Sequence, residues 1–430
     1  MPTSMLRLSR LALALLLALL APPALAQELP PPTQPPAVAV PGDELTVHLV
    51  TMGPGDAIWE KFGHNALWIH DARTNTDLAY NWGVFDFSSS DFLPRFLQGS
   101  MRYALAVYPM GPMVDAYART NRSVWVQELA LTPAQKVELR DFVEWNARPE
   151  NAFYTYNYFL DNCSTRVRDV LDRVLDGRLK ARFDTVATAT SYRWHTRRLT
   201  QVAPAMYTGM DIVLGQPGDR PITAWEEFFL PMKLRDGVRA VTVAGAGDAA
   251  RPLVADERQL FAATREPEAE RPANPTPPFL AAGLLLGAAL ALLARRAARG
   301  GRAARAVFGT VGTAWSLLAG FAGLIMLLTW TVTDHTFMYR NENLLQLSPL
   351  SLLLVPLLPR LVRRGRSPLA PRLAVAVALL AALGFALQAL PGFLQTNGEI
   401  IALALPVHAG IAVGAWMLAR REGRTANGRH

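Results

Sequence analysis

The stretch FLDNCSTR, residues 159–166, contains Cys163, which is the only cysteine among 430 residues. Aromatic strand-forming residues precede it, and apolar residues after it recur every three to four positions, as they do on one face of a helix. We therefore predict that Cys163 lies in the first turn of a helix capped by Asp161 or Asn162. The free N–H groups and positive dipole end of a helix start stabilise a thiolate. A cysteine with no disulfide partner in its chain is then either a reactive thiol or an accident of sequence.

The first 26 residues have the pattern of a secretory signal peptide. Arg7 and Arg10 form a basic start, residues 11–20 an apolar core, and residues 24–26 a cleavage site of small side chains. An uncleaved anchor is the alternative. Residues 27–43 are rich in proline, which predicts a tether.

Five apolar segments predict a membrane domain of about five helices over residues 279–419. They cover residues 279–294, 309–332, 346–359, 373–393 and 399–419. Arginine clusters follow the first, third and fifth segments, and the positive-inside rule places all three in the cytoplasm. The tail 420–430 then lies inside and residues 27–278 outside. This arrangement predicts a multi-pass protein of the bacterial inner membrane with its exported domain in the periplasm.

The net charge of +8 does not describe the exported domain. The excess of arginine lies in the signal peptide and the cytoplasmic segments, and the exported residues are net acidic. Nucleic-acid binding requires a basic surface and is therefore not predicted.

The exported domain, residues 44–242, mixes strand and helix patterns, which predicts an α+β fold. Alternating or aromatic segments predict strands over 45–51, 66–69, 78–87, 101–108 and 124–131. Short helices are predicted over 56–62 and 91–97, and a longer one from Thr132-Pro133 to about residue 145. Residues 243–278 are rich in Ala, Pro and Glu and predict a linker into the membrane.

A nucleophilic thiol needs a base, which is most often an imidazole. His64 stands at the head of the predicted strand 66–69, beside Gly63, which allows a close backbone approach. The alternative is an ordinary histidine with a local hydrogen bond. No two His or Cys positions have a convincing metal-ligand spacing, and no glycine-rich phosphate loop occurs, so neither a metal nor a cofactor is predicted.

Four motifs resemble the bacterial lipoprotein N-acyltransferase (Lnb-type) N-terminal periplasmic domain family, over roughly residues 45–235. They are FGH at 62–64, YNWGVFDF at 80–87, DNCSTR at 161–166 and AWEEFFLP at 224–231. More remotely, a histidine on a strand followed by Asn-Cys on a helix is similar to circularly permuted papain-like enzymes, including the lecithin–retinol acyltransferase group. Those enzymes use cysteine and histidine to move acyl groups from lipids. The resemblance implies a permuted papain-like exported domain, with Cys163 as nucleophile and His64 as base.

The third catalytic member is expected to be Asn81, with Asp86 and His70 as further candidates; a role in the turn around Gly83 is the alternative for Asn81 and Asp86. Arg166, one turn after Cys163, either meets an anionic head group or forms a structural ion pair.

The outer loop 334–343 is the second polar cluster, and it weakly resembles a block of the same family. Its His335, Asn341 and Asn343 are candidates for binding a lipid head group or docking the exported domain; a plain connecting loop is the alternative.

These residues and the resemblance imply a membrane-bound thiol acyltransferase. Its donor would be a phospholipid or lipoprotein acyl chain, carried as a thioester on the cysteine, and its acceptor a lipoprotein amine. The alternatives are a Cys/His hydrolase of the cell envelope and a non-catalytic binding module.

Overall fold

A computed structural model of the chain describes residues 40–85, 90–244, 250–364 and 367–427. The predicted signal peptide, residues 27–39 of the tether and Asp86 lie outside the described residues. The strands are β1 Leu45–Met52, β2 His64–Asp71, β3 Thr76–Val84, β4 Arg102–Pro109, β5 Val124–Leu129, β6 Phe153–Thr155, β7 Ala187–Ser191, β8 Pro221–Thr223, β9 Thr242–Ala244, β10 Ala250–Pro252 and β11 Val254–Phe261. Seven of them form one antiparallel sheet in the order β11-β5-β1-β2-β3-β4-β6.

Nine helices accompany the strands within the described part of the exported domain. They are α1 Phe92–Gln98, α2 Met110–Arg119, α3 Pro133–Asn146, α4 Cys163–Val174, α5 Arg178–Phe183, α6 Tyr192–Thr200, α7 Pro204–Val213, α8 Ala224–Glu227 and α9 Pro231–Arg239. Together with the sheet they confirm the predicted α+β class. Two boundaries follow directly from local sequence: Thr132 caps α3 with Pro133 in its first turn, and Asn162 caps α4, so that Cys163 is its first residue.

One face of the sheet packs against α4. Side chains alternate along a strand, so every second residue of β2 and β3 reaches this face. Leu67 and Trp82 pack here with Val167 and Leu171 of α4, and all four are fully buried. The helical spacing that predicted α4 therefore also fixes which of its sides lies on the sheet.

The opposite face packs against α2. Ala66 of β2 and Ala79 of β3 share a buried cluster with Met110 and Met113 at the start of that helix. The sheet is thus covered on both sides. His64 lies two positions before Ala66 on β2, and Asn81 two positions after Ala79 on β3, so both project to the α2 side.

The expected linker over residues 243–278 needs correction. Val254–Phe261 forms β11, which pairs with β5 at the edge of the sheet, and β10 pairs with β9. The alternation of this stretch is weak because none of the side chains of β11 is fully buried on either face, so composition alone suggests a linker. The exported fold therefore continues to residue 261, close to the first membrane helix.

Five candidate membrane spans follow, as predicted: Thr276–Ala298, Arg302–Val332, Glu342–Arg363, Leu369–Leu387 and Gly398–Arg420. Their helices are α10 Thr276–Ala298, α11 Arg302–Val332, α12 Leu354–Arg364, α13 Leu369–Leu387 and α14 Gly398–Asn427. The third span is composite, because short 3₁₀ turns at Glu342–Leu344 and Pro349–Leu353 precede α12. Proline at residue 349 explains the break, since its ring cannot continue a preceding helix.

Candidate active site

His64 and Asn81 lie side by side on the α2 face of the sheet. His64 Nε2 is 3.2 Å from Asn81 Oδ1. Asn81 Nδ2 donates to the main-chain oxygen of Ala79 at 3.0 Å, which turns the amide so that its oxygen faces the ring. An amide oxygen only accepts, so Nε2 carries the imidazole proton and Nδ1 keeps a free lone pair. The arrangement prepares Nδ1 to take up a proton.

The pKa of His64 is lowered to about 4. Burial is the main cause, the positive charge of Arg122 adds to it, and the hydrogen bond to Asn81 acts in the opposite direction. Arg122 is itself buried, donating to Gly53 O at 2.9 Å and pairing with Glu60 at 3.2 Å. The imidazole is therefore neutral at neutral pH, as a general base must be.

Cys163 reaches the same end of the sheet from the first turn of α4. Gly83 lies at a bulge near the end of β3 with φ +95°, and a Cβ built there would lie 3.4 Å from Cys163 Cβ. A larger residue would be strained in this left-handed conformation, so glycine suits the close approach. Gly83 is two residues from Asn81, which brings the thiol to the strand that holds the hydrogen-bond partner of the imidazole.

Three main-chain N–H groups near the thiol, those of Asn65, Ser164 and Cys163 itself, favour its charged form. They lower the pKa of the thiol, as does the charge of Arg122, but burial outweighs them and the pKa is raised above its ordinary value. The helix start was expected to stabilise a thiolate; its N–H groups act in that direction, but burial has the larger effect. At rest the pair is a neutral thiol and a neutral imidazole, because burial disfavours either charge.

The main chain around the thiol is fixed by buried side chains. Asn162 Oδ1 accepts from the N–H groups of Ser164 and Thr165, both at 2.9 Å. Ser164 Oγ lies 2.9 Å from Asn65 Oδ1, and Asn65 Nδ2 donates to Thr51 Oγ1 at 2.9 Å. These contacts tie the start of α4 to β2 and β1, so the N–H groups near the thiol have little freedom to move.

The motif at 224–231 contacts the first turn of α4 through its main chain. Phe228 O lies 2.6 Å from Ser164 Oγ, and Phe229 O accepts from Asn162 Nδ2 at 3.0 Å. Its contribution is therefore to hold the helix that carries Cys163, through main-chain oxygens.

Two family models match the chain. The model of the Lnb N-terminal periplasmic domain matches residues 34–199, and that of the Lnb transmembrane domain matches residues 270–416. The chain belongs to the Lnb-type family. A comparison with curated proteins and one with solved structures each found no match. The first matched domain includes His64, Asn81 and Cys163, and its description places it in the periplasm of a multi-pass membrane protein.

The other residues considered for this Lnb-type site lie elsewhere or have other partners. Arg166 forms a two-pronged ion pair with Asp161, with Nη2 2.6 Å from Oδ2, and stacks over the Tyr154 ring. His70 bonds to Asp77 at 3.0 Å and lies six residues along β2 from His64, about 20 Å away. Within the described residues, no three His, Cys, Asp or Glu side chains converge as a metal site requires.

The loop 334–343 of the Lnb transmembrane domain binds the exported domain. Asn341 Nδ2 donates to the main-chain oxygens of Ile212 at 2.8 Å and Val213 at 3.0 Å, and Asn343 Nδ2 to Ile212 O at 3.2 Å. His335 Nε2 donates to Phe96 O at 2.8 Å. The three predicted residues therefore hold the end of α7 and the end of α1. They do not meet Cys163 or His64.

A buried ionic network strengthens this docking. Arg197 of α6 pairs with Asp211 of α7 and with Glu399 of the last span, at 2.7 and 2.6 Å, and Tyr207 donates to Glu399 at 2.9 Å. Arg193 bonds to Asp211 and Asp219, and its side chain is fully buried. Removing one member of a buried ionic network leaves its partner uncompensated, so these contacts fix the two domains relative to each other.

Sequence reasoning missed Asn65 and Arg122 at the site. Asn65 directly follows His64, and adjacency to a catalytic candidate was the only available signal. Arg122 lies in a turn after α2, 41 positions before Cys163 in the sequence, and no local pattern points to it. Its influence on both pKa values depends on the tertiary fold.

Proposed function

We propose that this Lnb-type protein is a membrane-bound thiol acyltransferase that moves an acyl chain through a thioester on Cys163 to an amine, the N-terminus of a lipoprotein. The proposal is supported by a neutral thiol that lies at the same end of the sheet as His64, with main-chain N–H groups near it that favour its charged form, and by an imidazole whose tautomer Asn81 fixes. Burial holds both groups uncharged, so proton transfer accompanies attack on a carbonyl.

In the first half-reaction, Cys163 Sγ attacks the ester carbonyl of a phospholipid or of a diacylated lipoprotein. The C–S bond forms, and His64 Nδ1 takes the thiol proton. The oxyanion of the tetrahedral intermediate receives hydrogen bonds from main-chain N–H groups around the sulfur. The ester C–O bond then breaks, and the imidazolium gives its proton to the leaving alkoxide.

In the second half-reaction, an uncharged amine attacks the thioester. The C–N bond forms and the C–S bond breaks, while His64 moves a proton from the amine nitrogen to the thiolate sulfur. An amide and the original thiol result. The inner-membrane location and a lipoprotein acceptor belong to the same proposal, because a bilayer holds both substrates near the docked domain.

Mass spectrometry of the full-length protein in phospholipid nanodiscs tests the thioester. We expect an acyl adduct on Cys163 in the wild type and none in Cys163→Ala. A lipopeptide with a free α-amine should discharge the adduct as an amide. Absence of any adduct, with the protein folded and the donor present, would contradict the acyltransferase.

The acceptor distinguishes transfer from hydrolysis. A matched lipopeptide with an acetylated α-amine serves as the control, since it lacks only the nucleophile. Free fatty acid released at the same rate with both lipopeptides would favour the hydrolase instead.

A further inference from the structure

Aromatic rings run from the thiol to helix α1 in an unbroken series. Tyr156 stacks on Tyr103 with ring centroids 4.1 Å apart, Tyr103 on Phe85 at 4.8 Å, and Phe85, Phe92 and Phe96 follow at 6.3 and 6.4 Å. Phe85 follows Gly83 by two residues, and a Cβ built at Gly83 would lie 3.4 Å from Cys163 Cβ. The series therefore passes close to the thiol.

The series closes on itself through the loop of the transmembrane domain. Tyr158 lies 5.9 Å from Tyr156 and 6.3 Å from the His335 ring, and His335 lies 6.4 Å from Phe96. Tyr156, Tyr158 and His335 also line a small cleft. The rings thus form a collar with the thiol near one side and α1 on the other. We name these seven side chains the aromatic collar.

Helix α1 turns an apolar side outward at the rim of the collar. Leu93 and Leu97 are each 60% exposed and Phe96 is 44% exposed, at the i, i+3, i+4 spacing of one helix face. Trp59, near Phe85 with centroids 6.2 Å apart, is also exposed. A continuous apolar patch on a folded domain marks a surface that binds something.

The position of α1 identifies what that surface meets. The second membrane helix ends at Val332, and two residues later Asp334 N donates to Gln98 O at 2.6 Å. His335 Nε2 donates to Phe96 O. The apolar side of α1 therefore lies at the outer end of a membrane span whose own last residues, Trp330 and Val332, are exposed. Aromatic and aliphatic side chains at this level favour the membrane interface.

We propose that the apolar side of α1 inserts into the outer leaflet of the phospholipid bilayer, and that the aromatic collar is the route by which a lipid acyl chain reaches Cys163. The second part rests on the proposed acyltransferase function, whereas the insertion does not. A chain leaving the bilayer at α1 would contact aromatic rings along the collar, which reduces its exposure to water.

Spin-label depth measurements test the insertion. In full-length Cys163→Ser protein in phospholipid nanodiscs, a label at Leu97→Cys is compared with one at Leu260→Cys. Leu260 is an exposed leucine of β11, at the sheet edge opposite the α1 side. We expect the label at 97 to be several-fold more accessible to oxygen than to a nickel chelate, relative to the label at 260. Equal accessibility ratios would overturn the insertion, whatever the enzyme's activity.

The route is tested in the active protein with Leu93→Gln/Leu97→Gln and with Leu260→Gln as matched control. The double variant should lose transfer from bilayer phospholipid several-fold, while acylation by a water-soluble short-chain thioester and alkylation of Cys163 stay unchanged. Unchanged transfer from phospholipid would overturn the route. If the short-chain donor fails even in the wild type, the proposed function fails, and the depth measurement still reports on insertion.

Discussion

Asn81 and Asn341 are two buried asparagines at sites predicted from the same sequence, and they differ in where their hydrogen bonds go. Asn81 donates to a main-chain oxygen and leaves its own oxygen for the His64 ring. Asn341 donates to two main-chain oxygens of α7, while its oxygen accepts from Asn343 N and Gln395 Nε2. Asn81 can act on a reacting group through the imidazole, whereas Asn341 uses both ends of its amide to join domains.

The difference separates catalytic from docking residues among polar candidates. A buried amide that contacts only main chain and other amides stabilises an interface. One that contacts a titratable ring sets that ring's tautomer, and the reaction then depends on it. The following experiments test this division.

His64→Ala should have the largest effect among these tests. Without the base at Nδ1, transfer should fall about 10²–10⁴-fold. His70→Ala is the matched control, because His70 bonds to Asp77 about 20 Å from His64, and its loss should leave transfer nearly unchanged. A steady-state assay with a lipopeptide acceptor measures both. Equal losses in the two variants would contradict the assignment of His64.

Asn81→Ala should lower transfer by about 10²-fold, because the ring loses the contact that fixes its tautomer and orientation. Asn81→Asp keeps the acceptor oxygen, so the two variants separate loss of orientation from a change of charge. Circular dichroism confirms folding. Wild-type rates of transfer in Asn81→Ala would contradict a role for Asn81 in the reaction and leave it a structural one.

Acid should inactivate the enzyme through His64. Its pKa is about 4, so the ring is neutral above that pH and becomes protonated below it. Protonated imidazole cannot accept the thiol proton, so the rate at which phospholipid acylates Cys163, a step that involves no amine, should stay level toward acid and fall about tenfold per pH unit below pH 4. A pH profile with an unfolding control measures this limb. An inflection near 6.5 would mean that the ring is solvated.

The Asn81 bond raises the pKa of His64, so its loss in Asn81→Ala should move the acid limb to lower pH. A limb that moves to higher pH would contradict the reading of that contact.

Asn341→Ala should act on docking. It removes the Asn341 donor from Val213 O and leaves Ile212 O with only the longer bond from Asn343, which costs about 1–3 kcal/mol of unfolding free energy. Transfer should fall with it, while alkylation of Cys163 by a small reagent keeps its rate. Thermal unfolding and alkylation kinetics measure the two effects. A slower alkylation rate would show that the docking residues reach the thiol chemistry after all.

Arg166→Lys should have the smallest effect. The partly exposed pair with Asp161 contributes at most about 1 kcal/mol after solvent screening. Transfer should change less than about twofold, with similar KM values for anionic and zwitterionic donor lipids. A rise in KM confined to anionic donors would restore the head-group role for this arginine.

Local sequence predicts the parts of the site that depend on local structure. The start of α4 follows from its cap and its apolar spacing, and the place of His64 at the head of β2 follows from strand alternation. The five membrane segments follow from hydropathy alone. Long-range features do not: the raised pKa of Cys163, the charge of Arg122 and the strand at Val254–Phe261 depend on which segments meet in the fold.

The role of the polar loop 334–343 is likewise not determined by local sequence. Its residue types suit a binding site and a docking surface equally well. Only the partners of Asn341, Asn343 and His335 distinguish the two.

Two glycines at the docking surface bear on how this protein can evolve. A Cβ at Gly215 would lie 2.0 Å from Tyr339 O, and one at Gly99 would lie 2.8 Å from His335 N. The exported and membrane halves thus meet main chain to main chain, where a change on one side has no flexible side chain to absorb it. We expect the halves to be inherited as a matched pair. A chimera that joins the exported half of one relative to the membrane half of another should insert into the bilayer and yet leave its thiol domain undocked.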